Sequence, residues 1–151
     1  MKLTLKQIAE WTGGKLSAKY EDIEITGITT DSRVTRPGQM FVPLSGENFN
    51  GHDYISSAMQ VCAATLSERE LPKEVPAVYV ENTLKAYGNI AKGYRKMLGS
   101  KVIGITGSVG KTTTKEMVSG VMAAKYETAK TKGNFNNHVG VPKTILDVEQ
   151  G

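Results

Sequence analysis

The stretch GITGSVGKTTTKE, Gly104 to Glu116, concentrates the residue types that handle phosphate. Glycines at 107 and 110 let the backbone curl until successive N–H groups face one concavity, and a helix start behind them adds the positive end of its dipole. Lys111 can reach β- and γ-phosphates as a point charge, and Thr112 has the hydroxyl expected to ligate Mg²⁺. The strict G-x-x-x-x-G-K-[ST] spacing asks for glycine at position 105, where this chain has Ile105. The cradle depends on the turn from Gly107 to Thr112, so Ile105 can stay in a preceding strand. The plainer alternative is a glycine-rich strand-to-helix turn that binds nothing. An acidic residue on a later strand normally completes such a site, and the candidate after the loop, Asp147 in TILDVE, falls where a helix is expected.

Other chemistry-bearing residues are sparse. Asn134, Asn136 and Asn137 in GNFNNHVG form an amide-rich loop that could donate to phosphate and sugar oxygens without adding charge. Turn chemistry explains the same asparagines, which tolerate left-handed backbone. His52 and His138 are the only histidines and make no metal set; His138 reads as a loop residue. Cys62 is the only cysteine, so no disulfide can form within the chain, and in YISSAMQVCAATL it reads as a small apolar residue.

The elements that must hold these residues follow from periodicity. Thr4 opens a capping box, TLKQ, for a short helix through Leu5, Ile8, Ala9 and Trp11 that stops at Gly13-Gly14. YEDIEITGI predicts a strand with a bulge at Gly27, and GQMFVPLSG a strand that Pro43 confines to an edge or a short piece. Asp53 to Thr65 places Tyr54, Ile55, Ala58, Met59 and Cys62 on one helical face, and VPAVYVEN reads as a buried strand. A long helix is expected from Thr83 to Leu98, with Leu84, Tyr87, Ile90, Ala91, Tyr94 and Leu98 inward and Gly99 ending it. KVIGIT predicts a strand, and Lys111 to Tyr126 a helix with Met117, Val118, Val121 and Met122 inward. A short strand should precede the asparagine loop, and Pro142 should open a last helix. The fold class is therefore α/β: a small α/β unit over residues 1–82, then the opening of a P-loop parallel-sheet domain over 83–151. One strand and two helices cannot cover a parallel sheet, so the second unit reads as the front of a larger domain.

With 151 residues, 39% hydrophobic and 23% charged, the composition excludes disordered and collagen-like chains. No apolar run is long enough to span a bilayer and no signal-peptide core opens the chain, so a cytoplasmic protein without membrane insertion is expected. The net charge of +4 is uneven: residues 1–82 hold 8 Lys/Arg and 11 Asp/Glu, and residues 83–151 hold 11 and 4. A basic half suits a nucleotide phosphate or a nucleic acid. The acidic first half, three Phe, one Trp and the lack of a nucleic-acid motif weigh against a nucleic-acid partner.

Thr106 to Thr113, TGSVGKTT, fulfils the pattern T-G-[ST]-x-G-K-T-[ST], and here the chain resembles the Mur ligase family, the ATP-dependent amide-forming enzymes of peptidoglycan synthesis. TTDSRVTRPGQMFVPLSGENFNGHDY, Thr29 to Tyr54, and TKGNFNNHVGVPKTIL, Thr131 to Leu146, extend the likeness, as does Lys115-Glu116. They are most similar to the members that add D-alanyl-D-alanine to UDP-N-acetylmuramoyl-tripeptide. The resemblance implies a first unit holding the uridine nucleotide and a second holding ATP with Mg²⁺. The substrate carboxylate becomes an acyl phosphate, which the incoming amine attacks. It places Gly107, Ser108, Val109, Gly110, Lys111, Thr112 and Thr113 on ATP, with Lys111 catalytic and Thr112 on the metal. It places Thr30, Asp31, Ser32, Arg33, Ser45, Gly46, Glu47, Asn134, Asn136 and Asn137 on the sugar nucleotide. Ser32 can donate a hydrogen bond and Arg33 suits a diphosphate, although Asp31 and Arg33 could simply pair at the surface. Gly46 would let backbone N–H groups approach a ligand. The family's remaining metal ligands and carbamylated lysine would lie beyond Gly151, so the 151 residues are expected to be an inactive, monomeric piece. Another Mur-type amide ligase is the alternative within the family.

Overall fold

The computed structural model describes residues 1–133 and 137–148. Strand β1 (Leu3–Thr4) runs directly into helix α1 (Leu5–Thr12). Thr4 ends one and caps the other: its Oγ1 accepts from the Gln7 N–H at 3.2 Å while Gln7 Oε1 accepts from the Thr4 N–H at 2.9 Å, the reciprocal box that TLKQ predicts. Gly13, at φ 66°, closes the helix in the left-handed conformation that glycine adopts cheaply.

The Ile-rich run does not bulge; it changes sheets. β2 (Glu24–Ile25) pairs antiparallel with β1, whereas β3 (Gly27–Thr29) pairs parallel with β4 (Gln39–Phe41). Between them Thr26 donates its N–H to Gly38 O at 2.8 Å. β5 (Ala64–Ser67) and β6 (Ala77–Tyr79) complete an all-parallel sheet in the order β3-β4-β5-β6. β4 is therefore short, as expected, but interior rather than at an edge. Pro43 follows the last paired residue, so its missing N–H removes no ladder bond. The helix expected over 53–65 shrinks to α2 (Ile55–Ala58); its C-terminal portion is β5, because Ala64 to Ser67 are buried between two strands. Tyr54 stays exposed.

Strand alternation sorts the core into two layers. Met40, Val42, Ala64, Leu66 and Val78 pack against Leu5 and Ile8 of α1 and against Tyr87, Ile90 and Tyr94 of α3 (Thr83–Leu98). On the reverse face Phe41 packs with Ile55, Ala58 and Cys62, so the lone thiol is the core residue its sequence context suggests. α3 spans the expected residues, from the Asn82 cap to Gly99 at φ 64°. Leu84, expected inward, is 39% exposed; Thr83 and Ala86 fill the inner face at that end.

The second half departs further from expectation. Residues 101–106, KVIGIT, take part in no strand pairing, and Val102 and Ile103 are each 59% exposed. Strand propensity alone does not hold a strand whose backbone groups have no neighbouring ladder. The short strand expected before the asparagine loop is likewise not formed among residues 127–133. α4 (Lys111–Ala123) buries none of its residues: Met117 and Val121, expected inward, are 68% and 75% exposed, and Val118 and Met122 are half-buried. α5 (Gly140–Leu146) starts two residues before Pro142, which still lies in the first turn where its missing N–H is harmless. The chain around α5 docks onto α3 and the core beneath it: Leu146 enters the main core and Tyr94 Oη donates to Val148 O at 2.7 Å. Among the described residues no helix is long and apolar enough to cross a membrane.

Candidate nucleotide-binding site

The phosphate loop folds as its glycines require. Gly107 (φ 148°) and Gly110 (φ 77°) take positive φ, and Gly110 is the N-cap of α4. The other long helices are capped by side chains, Thr4 on α1 and Asn82 on α3; α4 has no side-chain cap and no acidic residue in its first turn. The N–H groups of its first turn thus keep the positive end of the dipole directed at the loop. Lys111 Nζ donates to Gly107 O at 2.6 Å, across the mouth of the turn. Ser108, Val109, Gly110, Thr112 and Thr113 are exposed, Val109 to 88%.

Lys115, one turn further along α4, anchors the segment that returns toward the loop. Its Nζ donates to Thr131 O at 2.8 Å and Gly133 O at 2.7 Å, and Lys130 pairs with Glu116. The Lys130 ammonium first, and then that of Lys115, hold the Glu116 carboxyl below its ordinary titration range. The i,i+1 spacing of Lys115 and Glu116 gives no hint in the sequence that their partners lie 14 to 18 residues away.

A second constellation lies along the C-terminal edge of the parallel sheet, where open α/β sheets usually place ligands. β3 is followed by Thr30, Asp31, Ser32 and Arg33, and β4 by Ser45, Gly46 and Glu47. Asp31 accepts from the Arg33 backbone N–H at 3.0 Å and takes a two-pronged bond from Arg33 Nε (2.9 Å) and Nη2 (2.7 Å). Those bonds lower the Asp31 pKa to about 2. The Arg33 side chain remains 86% exposed, so the surface pair foreseen as an alternative is present. The Ser45–Asn50 loop is closed by a backbone bridge, and the Gly46 N–H donates to Phe49 O at 2.9 Å. A Cβ on Gly46 would meet the Phe49 ring at 2.6 Å.

Of the asparagine loop, Asn134 and Asn136 lie outside the described residues. Asn137 Oδ1 accepts from Val139 N–H (3.2 Å) and Gly140 N–H (2.7 Å), the turn chemistry that opens α5. An open cleft of about 590 Å³ brings Asn137 and His138 opposite Asn82 and Lys85 at the start of α3; none of the phosphate-loop residues lines it. No group of three or more His, Cys, Asp or Glu forms a metal cage among the described residues. The exposed Thr112 hydroxyl at the start of α4 could serve as one ligand of a magnesium ion.

Comparison with known proteins matches the sequence pattern described as the Mur ligase middle domain to residues 105–151, and that of the Mur ligase family, catalytic domain, to residues 24–95. The chain belongs to the Mur ligase family. Over 97% of its length it is 44% identical to the UDP-N-acetylmuramoyl-tripeptide--D-alanyl-D-alanine ligase of Bacillus subtilis, of which it covers 33%. To the ligase of that name from Escherichia coli it is 38% identical over 95% of the chain and 32% of that protein. The crystal structure of MurF from Acinetobacter baumannii superposes with a TM-score of 0.90 at 33% identity, over 99% of this chain and 34% of that one. A MurF ligase from Thermotoga maritima, solved in complex with ADP, gives 0.75 at 34% identity over 82% and 29%. The chain thus spans about a third of the length of the curated relatives it matches.

Proposed function

We propose that this chain carries the sugar-nucleotide unit and the ATP loop of a Mur ligase that joins D-alanyl-D-alanine to UDP-N-acetylmuramoyl-tripeptide in the cytoplasm. The observation that carries the reading is the α4 start: a helix N-terminus without a side-chain cap, behind two positive-φ glycines, with Lys111 reaching back across the turn. Its residues are TGSVGKTT, and the surrounding chain is aligned with ligases of that name over nearly its whole length.

In the proposed reaction the tripeptide carboxylate attacks the γ-phosphorus of ATP and ADP leaves. The amine of the dipeptide then attacks the acyl carbon and phosphate leaves as the amide forms. Lys111 would exchange the Gly107 carbonyl for phosphate oxygens, and the first-turn N–H groups of α4 would stabilise the charge gathering there. The Thr112 hydroxyl would help to hold Mg²⁺, which when bound would supply further charge neutralisation. Arg33 would turn its fork from Asp31 to the uridine diphosphate; an exposed pair is worth only about 0–1 kcal/mol, so the exchange is cheap. We place the functional division after Asn82, with α3 as the helix that both units share.

Titration of the chain by NMR tests this. ATP with Mg²⁺ should shift amide signals of residues 107–113, and UDP-N-acetylmuramoyl-tripeptide those of 30–33 and 45–47. Lys111→Ala should remove the ATP response and leave the sugar-nucleotide response in place. Silence of both regions at saturating ligand would sink the proposal. No ligation is expected from these 151 residues alone, and amide formation by them would show that no further residues are needed.

A further inference from the structure

His52 is a buried histidine that the proposed chemistry does not use, and both of its ring nitrogens are engaged. Its Nε2 lies 3.1 Å from the Glu68 backbone N–H, which can only donate, so Nε2 must be the unprotonated acceptor. The proton of the neutral ring is therefore on Nδ1, 3.0 Å from Asn50 Oδ1. The same Asn50 oxygen accepts from the His52 backbone N–H at 3.0 Å and from Ser45 Oγ at 3.1 Å. On the other side, Glu68 Oε1 accepts from Thr83 N–H at 2.6 Å and Thr83 Oγ1 at 2.9 Å, at the first residue of α3. A continuous run of bonds thus links Ser45, through Asn50, the His52 ring and Glu68, to the start of the helix shared by both halves.

We propose that His52 is a positioning residue for the Ser45–Asn50 loop: as the Nδ1-protonated neutral ring it braces that loop between the exit of β5 and the start of α3, and so fixes where Ser45 and Glu47 are presented to a sugar nucleotide. The proposal rests on reading the sheet's C-terminal edge as the sugar-nucleotide site. Protonation would place an N–H at Nε2 against the Glu68 N–H, donor against donor, and release the brace. The charged groups around the ring are Glu68 and Arg69 at the exit of β5 and Asp53 beside it. Burial, the largest influence, and Arg69 resist the imidazolium, Glu68 and Asp53 favour it, and the pKa falls below its ordinary value. The braced state therefore holds at neutral pH and is lost only as pH drops through that lowered value.

The test uses the 151-residue chain. Imidazole ¹⁵N spectra at pH 7 should show Nδ1 protonated and Nε2 not, and on acidification the amides of Ser45, Asn50 and Thr83 should shift with one midpoint, that of the His52 ring. His52→Leu should weaken UDP-N-acetylmuramoyl-tripeptide binding about tenfold, the equivalent of roughly one buried hydrogen bond. His52→Gln, whose Oε1 can still accept from the Glu68 N–H, should recover most of that loss and abolish the acid-side fall in affinity. Unchanged amide signals of Ile8, Ile90 and Tyr94 in the main core would show that both variants keep the fold. The opposite tautomer, independent midpoints, or equal affinity in His52→Leu and wild type would overturn the proposal. Absence of a wild-type response to the sugar nucleotide, with the shared midpoint intact, would refute the uridine reading and leave His52 as a brace for another ligand's loop.

Discussion

Arg33 spends Nε and Nη2 on one carboxylate two residues away, and this has a measurable signature. Because the Asp31 pKa is lowered to about 2, whatever the pair contributes is fully present above the ordinary carboxylate range and is lost as pH falls through about 2. Arg33→Ala should raise the Asp31 midpoint part of the way toward the ordinary carboxylate value of about 4, because the backbone N–H of residue 33 still bonds the carboxylate, and the rise is read from its carboxyl ¹³C shift. A midpoint unchanged by the substitution would assign the depression to the backbone N–H alone. At this scale the phosphate loop was legible because its parts are contiguous: each glycine, Lys111 and Thr112 sit within six residues and need no distant partner. The His52 brace was not, since its partners come from three separate segments, the Ser45–Asn50 loop, Glu68 and Thr83, and no spacing rule joins a histidine ring to a backbone N–H sixteen residues on.

Two glycines in the middle of α3 make opposite demands. A Cβ on Gly93 would fall 2.2 Å from Trp11 Cδ2, so this glycine lets α1 and α3 approach until an indole lies on bare backbone. Gly88 has nothing within 4 Å of the same position. Gly93→Ala should lower stability by about 1–3 kcal/mol through overpacking, and Gly88→Ala should raise it by about 1 kcal/mol through helix propensity. Thermal melts of the two variants should move in opposite directions; a common sign would refute the packing argument. α3 was legible to the residue because its cap, apolar period and Gly99 stop agree. α4 was legible as a helix from Lys111, but its burial and the KVIGIT strand were not, because periodicity announces an apolar face without saying whether anything covers it. α4, with no buried residue, should exchange its amides orders of magnitude faster than the inner face of α3, by hydrogen-exchange mass spectrometry.

For the molecule as a whole, the α/β class was legible and the placement of strands less so. Alternating Ile, Val and Met residues announced a sheet between helices, while the sheet change at Thr26 depends on which strand each half of the run meets. Val102, Ile103, Met117 and Val121 leave apolar surface on the half that is also strongly basic. We expect concentration-dependent self-association in sedimentation experiments, which Met117→Lys with Val121→Lys should reduce; identical sedimentation of the two forms would show that these side chains do not drive it. The closing of the main core by α3 also sets an order of events during synthesis. All four parallel strands precede the helix that seals their inner face, and Tyr94 lies fifteen residues after Tyr79, the end of the last strand. At a translation rate of about 5–20 residues per second, the ribosome takes about one to three seconds to add that stretch. During that interval Met40, Val42, Leu66 and Val78 have only α1 as cover, so the nascent chain passes through a brief window in which a chaperone has something to hold.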